Sequence, residues 1–173
     1  MFKASRRRQV RRKELLISVQ IALVALLAYW LGFRFTAFFP GYFPKIGGLW
    51  SAISAVIVVQ VSKKDTADSA WLRLIGTALG AAISALYFSL FPFNAVGMGA
   101  SIFFSSLICT SLNMTSWMRL SAITVLVVMV TASLNPALNP ALNALLRFCE
   151  SCIGSAVAVF LISLWPKPWL TKA

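Results

Sequence analysis

Ala70-Trp71-Leu72-Arg73-Leu74-Ile75-Gly76-Thr77-Ala78-Leu79-Gly80-Ala81-Ala82 starts from a basic, polar stretch and runs straight into a hydrophobic segment. Arg73, Thr77, Ala81 and Ala85 recur every four residues, and Gly76, Gly80 and Ser84 do the same one face over. In an apolar helix, small residues at that spacing let another backbone approach closely. The pattern returns at Ala144-Leu145-Leu146-Arg147-Phe148-Cys149-Glu150-Ser151-Cys152-Ile153-Gly154-Ser155-Ala156. Arg147 precedes Gly154 by the same interval as Arg73 precedes Gly80; Ser151 stands for Thr77 and Glu150 for Gly76. The chain therefore reads as two related halves, each built around an Arg-headed helix with a small-residue face.

The 173 residues suffice for one domain, and at 60% hydrophobic and 12% charged they are too apolar for an ordinary soluble one. Several runs approach the roughly 20 apolar residues that cross a bilayer. The expectation is an all-α, polytopic membrane protein. The net charge of +12 is concentrated, with seven of the sixteen Lys and Arg between Lys3 and Lys13. Such a cluster before a first membrane helix marks a cytoplasmic end and favours anionic lipid headgroups, and it argues against nucleic acid as a partner. Leu15 to Phe33 is long, and no small-residue cleavage site closes it before Arg34, so it reads as an anchor rather than a signal peptide. Cys109, Cys149 and Cys152 lie in apolar segments and read as buried small hydrophobes. With no His in the chain, no metal site is expected.

Hydrophobic runs predict six helices: about Leu15–Phe33, Ile46–Ser62, Trp71–Phe91, Ala95–Leu112, Met118–Ser133 and Leu142–Trp165. Phe35 to Lys45 reads as an aromatic interfacial loop. Lys63 to Asp68 reads as a polar turn, with Asp68 or Ser69 capping the third helix. Pro166 and Pro168 stop the last helix. The domain reading is a basic cytoplasmic tail (1–14), a six-helix transmembrane domain (15–165) and a short cytoplasmic tail (166–173). Three helices per half is an odd number, so the second half must enter the membrane upside down; inverted repeats are common among transporters. Ser51-Ala52-Ile53-Ser54 and Ser121-Ala122-Ile123-Thr124 add a weaker trace of the duplication. With both termini cytoplasmic, thirteen Lys and Arg fall inside and three, Arg34, Lys45 and Arg147, outside.

Asn135-Pro136-Ala137 and Asn139-Pro140-Ala141 spell the aquaporin tripeptide twice. Copies four residues apart cannot meet mid-membrane from opposite sides, so they read as a rigid outer loop with Asn caps. Arg73 and Arg147 have two readings: snorkelling at a helix end, or capture of a small organic anion, since a guanidinium forms a fork that matches a carboxylate. Glu150 is the one acid deep within a predicted membrane helix, and Arg147, three residues earlier, is its expected partner, structurally or as a proton-coupling site. Gly76, Gly80 and Gly154 are expected at close helix contacts, either a dimer seam or a contact within the bundle. Trp50 reads as an interface anchor, or else a substrate-stacking residue. The absence of His, the few carboxylates and the lack of a phosphate-binding loop argue against an enzyme, and no cofactor is implied.

At Gly48 to Gln60 and again at Ala70 to Ala81 the chain resembles the fusaric acid resistance protein-like family, which includes the aromatic acid exporters. The matching features are a Trp and a Gln in the second helix, Trp50 and Gln60, and an Arg-x-x-Gly-Thr-x-x-Gly signature made by Arg73, Gly76, Thr77 and Gly80. The resemblance implies a bacterial inner-membrane protein that exports aromatic carboxylates or related compounds on the proton gradient. Many members carry a cytoplasmic domain after the membrane half, and large ones carry two membrane halves; the layout here covers one.

These readings lead to a small exporter-like permease, a homodimer in the lipid bilayer, with Arg73, Arg147, Glu150, Trp50 and Gln60 as candidate substrate-binding residues. Gly76, Thr77, Gly80, Ser84 and Gly154 are the candidate helix-contact residues. The alternative is a non-transporting membrane subunit or scaffold.

Overall fold

The computed structural model describes residues 2–60, 62–113, 115–134 and 139–165, with side chains from Glu14 onward. Asn135-Pro136-Ala137 and the segment 166–173, with Pro166 and Pro168, lie outside the described residues. Six helices follow in order: α1 (Phe2–Ala37), α2 (Pro44–Val58), α3 (Lys63–Leu90), α4 (Ala95–Ser111), α5 (Thr115–Leu134) and α6 (Pro140–Leu164). Four are long and apolar enough to cross a membrane: Glu14–Ala37 within α1, and α3, α5 and α6. Helices α2 and α4 are apolar but shorter, at 15 and 17 residues. The outer faces present large apolar side chains, among them Leu26, Trp71, Phe103, Leu126 and Phe160, as a lipid-facing surface does.

Local chemistry places the ends, and several differ from the sequence reading. Helix α1 continues back through the basic segment to Phe2, well before the Leu15 start read from the hydrophobic run. Lys63 to Asp68 is not a turn but the opening of α3; the cap is Ser62, whose hydroxyl accepts from the Asp65 N–H at 3.0 Å and donates to the Asp65 carboxylate at 2.6 Å. Helix α2 begins with Pro44 in its first turn and ends at Val58, so Gln60 falls in the connection rather than in the helix. Helix α6 has Asn139 as its cap and Pro140 behind it, with the Asn139 side-chain oxygen accepting from the N–H groups of Ala141 and Leu142. The second Asn-Pro-Ala copy is thus a helix start. Asn94 caps α4 in the same way.

Helices α1 and α2 pack as one pair and α4 and α5 as another. Across the molecule α2 lies on α6, α5 lies on α3, and α3 crosses α6. Exchanging the first three helices for the last three leaves this set of neighbours unchanged. Ala81 and Ala85 of α3 lie with Ala144 of α6, whereas Ala70 clusters with Val157 and Ala158, so α3 and α6 run antiparallel.

Glycines permit close approaches between helices. A Cβ on Gly80 would come within 2.5 Å of the Ser121 carbonyl oxygen on α5, and one on Gly154 would collide with the Ser51 carbonyl oxygen on α2. Gly76 faces α5 as well, against Leu120 and Trp117, and Ser84 is buried with its hydroxyl donating to the Gly80 carbonyl at 2.8 Å. All these contacts fall inside the bundle.

Candidate functional site

A continuous polar cluster occupies the crossing of α2, α3 and α6, where an all-apolar interior would be the default. It is built from residues that would each be costly to bury alone. Arg73 is fully buried, Arg147 is 2% exposed and Glu150 is fully buried. Neither arginine snorkels to the surface, contrary to the first of the two readings. Each faces inward because its helix presents that side to a neighbour: Arg73 and Thr77 share the face of α3 turned to α6, and Arg147, Glu150 and Ser151 the inner face of α6.

Around Arg147, one guanidinium nitrogen, Nη2, sits 2.9 Å from Glu150 Oε1. The same carboxylate oxygen accepts from the Thr36 hydroxyl at 2.7 Å. The Thr36 donor comes from the last turn of α1, a stretch expected to be loop, which is why the sequence offered no hint of it. Gly47 makes room here, since a Cβ there would lie 2.6 Å from Glu150 Oε1. Ser51 donates to the backbone carbonyl of Glu150 at 3.0 Å, and the Trp50 indole N–H donates to the backbone carbonyl of Arg147 at 2.9 Å. Trp50 is 3% exposed, so it is an interior residue and not an interface anchor.

Around Arg73 the partners are neutral. Its Nε and Nη2 both donate to the Ser54 hydroxyl oxygen, at 3.3 and 3.1 Å, and its guanidinium carbon stands 4.7 Å from the centroid of the Trp50 ring, a cation–π geometry. Ser54 in turn donates to the Ser151 hydroxyl at 3.3 Å, and the Thr77 and Ser151 hydroxyls lie 3.2 Å apart. The two arginines are therefore linked through Trp50, while the hydroxyl chain of Ser54, Ser151 and Thr77 leads back to the Arg73 carbonyl. The charge pairing is incomplete. Arg73 Nη1, Arg147 Nε and Nη1, and Glu150 Oε2 are buried and have no hydrogen-bond partner among the described residues.

The structure brings Trp50, Arg73, Thr77, Arg147 and Glu150 together and separates Gln60 from them. Gln60 is exposed beyond the end of α2, where its backbone N–H donates to the Thr66 hydroxyl at 3.1 Å. Ser51 and Ser54 carried a signal only as part of the repeat. At the α6 N-terminal end, Tyr42 in the α1–α2 connection donates to the Asn139 carbonyl at 3.3 Å. Its partial burial pushes the phenol above the ordinary tyrosine range, with the nearby Arg147 charge pulling the other way.

Two cavities lie away from the cluster. One of about 560 Å³ is bounded by the α3–α4 connection around Phe91 and Phe93, by Ala132 and Ser133 of α5, and by Pro140. The other, about 280 Å³, is an alanine-lined groove between α3 and α6. Cys109 is buried, Cys149 and Cys152 are half-buried, and all three are free thiols. Among the described residues no three His, Cys, Asp or Glu side chains converge.

The family model for fusaric acid resistance protein-like proteins matches residues 23–161, well over half the chain and every member of the cluster. No curated protein and no solved structure matches the chain.

Proposed function

The chain belongs to the fusaric acid resistance protein-like family, and from that premise we propose that this membrane protein is an exporter-like permease for small organic anions, aromatic carboxylates among them. In this reading the six helices all cross the bacterial inner membrane, as two inverted three-helix halves with both termini cytoplasmic. Two copies pair as a homodimer. The inverted arrangement draws support from the neighbour relations of the helices, which are the same for either half, and from the charge bias, which survives when the two buried arginines are left out of it.

One observation carries the transport reading: a buried Arg147–Glu150 pair held by a single guanidinium nitrogen, with Arg147 Nε and Nη1 and Glu150 Oε2 left over. Placing a charge in the membrane interior costs on the order of 3 kcal/mol even on the lenient insertion scale. The other half of the chain has Gly76 at the corresponding position. The acid therefore needs a role. Here an arriving carboxylate competes with Glu150 for the Arg147 fork, and protonation of Glu150 from the outer side frees the guanidinium for the anion. Proton entry and anion export are thereby coupled. The groups that face Glu150 are Arg147 on its own helix and the Thr36 hydroxyl from α1; from α2, Ser51 reaches only its backbone.

The test is the accumulation of radiolabelled benzoate in cells with and without the protein, across external pH 5.5 to 8. Lower accumulation with the protein, increasing as the outside becomes more acidic, supports proton-coupled export. Equal accumulation at every pH favours a non-transporting membrane subunit or scaffold. That second reading has its own observation, since neither cavity is lined by Arg73, Arg147 or Glu150.

A further inference from the structure

Arg73 and Arg147 hold corresponding places in the two halves, and one residue separates their situations. Three positions after Arg147 stands Glu150; three positions after Arg73 stands Gly76. Among the described residues the buried charged side chains are Arg73, Arg147 and Glu150. Two guanidinium cations share one carboxylate, and that carboxylate bonds to Arg147. One buried positive charge has no anionic partner among the described residues. Buried charges in proteins are paired, because the lost hydration is otherwise uncompensated. The fold also closes off an internal remedy. A Cβ on Gly76 would lie 2.7 Å from the Leu120 Cβ, so an acidic side chain at that position has no room.

The donors left on Arg73 define what can join it. Ser54 takes the edge formed by Nε and Nη2 with one hydroxyl oxygen. Nη1 has no partner, and Nη2 carries a second N–H. The outer edge of the guanidinium, across Nη1 and Nη2, thus presents two parallel donors. Two parallel donors match the two oxygens of a carboxylate, or seat a halide between them. Trp50 holds the guanidinium plane from its ring face and acts as a positioning residue.

We propose that Arg73 seats one monovalent anion per chain, held end-on across Nη1 and Nη2, while Arg147 is paired with Glu150. The charge count fixes the valence. A monoanion brings the three-residue cluster to neutrality, whereas a dianion overshoots by one charge. This rests on the anion-handling reading given above and goes beyond it by assigning the anion to Arg73 and by setting its charge.

The experiment is equilibrium binding to the purified full chain in neutral detergent at constant ionic strength and pH 7. Radiolabelled benzoate is the probe, and chloride and the dianion phthalate are competitors; radiolabelled chloride is measured alone as well. The expected result is saturable binding of one monoanion per chain. Arg73→Lys is expected to weaken it at least tenfold, since an ammonium lacks the fork. Benzoate bound and resistant to chloride identifies an organic carboxylate as the occupant; benzoate displaced by equal chloride identifies a small inorganic anion. Either supports the assignment. It is overturned if neither benzoate nor chloride binds, if phthalate binds more tightly than benzoate, or if Arg73→Lys binds as the parent does. Arg73→Lys keeps a buried charge, so it remains informative where Arg73→Gln fails to fold. Binding that depends on Arg73 in a chain that moves no benzoate in cells leaves this assignment standing and ends the transport reading. Efflux that persists with unchanged benzoate affinity in Arg73→Lys does the reverse.

Discussion

The hydroxyl oxygens of Thr77 on α3 and Ser151 on α6 lie 3.2 Å apart. These two residues hold corresponding positions in the two Arg-headed segments, and their helices run antiparallel. The glycine contacts repeat the relation: Gly80 lies against the Ser121 carbonyl and Gly154 against the Ser51 carbonyl, and each of those serines opens the shared Ser-Ala-Ile stretch.

The Thr77–Ser151 contact is expected to be energetically coupled. Thr77→Val and Ser151→Ala should each destabilise the chain, and the double variant should lose less than the two losses added together. The coupling should be about 0.5–1.5 kcal/mol, the net worth of one hydrogen bond. Thermal unfolding in detergent across the four variants measures it, and strict additivity would remove the contact from the account.

Glycine positions should separate by location. Gly80→Leu and Gly154→Leu should each destabilise the fold by at least the roughly 1–3 kcal/mol typical of overpacking, because the obstacle is backbone in both cases. Gly99 has nothing within 4 Å of its Cβ position, so Gly99→Leu should leave the fold close to the parent. Equal melting of all three would contradict the helix contacts described.

Removing half of the Arg147–Glu150 pair should cost more than removing all of it. Glu150→Leu leaves a buried guanidinium without its carboxylate, a loss of about 3–5 kcal/mol for such pairs, whereas Arg147→Met combined with Glu150→Leu should recover part of that loss. Denaturation midpoints decide the order. In cells, Glu150→Gln should keep the fold and remove the pH dependence of benzoate efflux, and Arg147→Lys should weaken efflux for want of the planar fork.

Six crossings should give alternating reporter positions. Fusions after Lys45, Gln60, Asn94, Ser116 and Asn139 are expected outside, inside, outside, inside and outside. The shorter α2 and α4 make the second and fourth of these the informative ones, since about 22 and 25 Å of helix at 1.5 Å per residue must serve a hydrocarbon core of about 30 Å. Reporters after Lys45 and Gln60 on the same side would show that α2 does not cross.

Ser62 is the cap of α3, and Ser62→Ala should destabilise by about 1 kcal/mol. Ser69→Ala should not act through a cap, because Ser69 lies within the helix. Comparable losses from both changes would restore the later start of α3.

The sequence by itself determined that the chain is six apolar helices, that it lives in a membrane, and that α3 and α6 carry the same spacing of an Arg and small residues. Those properties depend on composition and on residue spacing along one helix, which are local. It also marked Arg73, Arg147 and Glu150 as unusual, because a charge in an apolar run is legible without coordinates. It did not determine the direction in which those side chains point. A long arginine near a helix end can reach water as readily as the interior, and only the placement of α2 across α3 and α6 closed off the outward route. Helix starts within polar sequence are illegible for a related reason: Lys63 to Asp68 has the composition of a turn, yet the Ser62 cap and the docking of α3 make it helix. The Thr36 donor, the Trp50 ring beneath Arg73 and the hydroxyl chain through Ser54 and Ser151 arise from residues far apart in the chain. No spacing rule within a single helix connects such residues, so only the tertiary structure decided them.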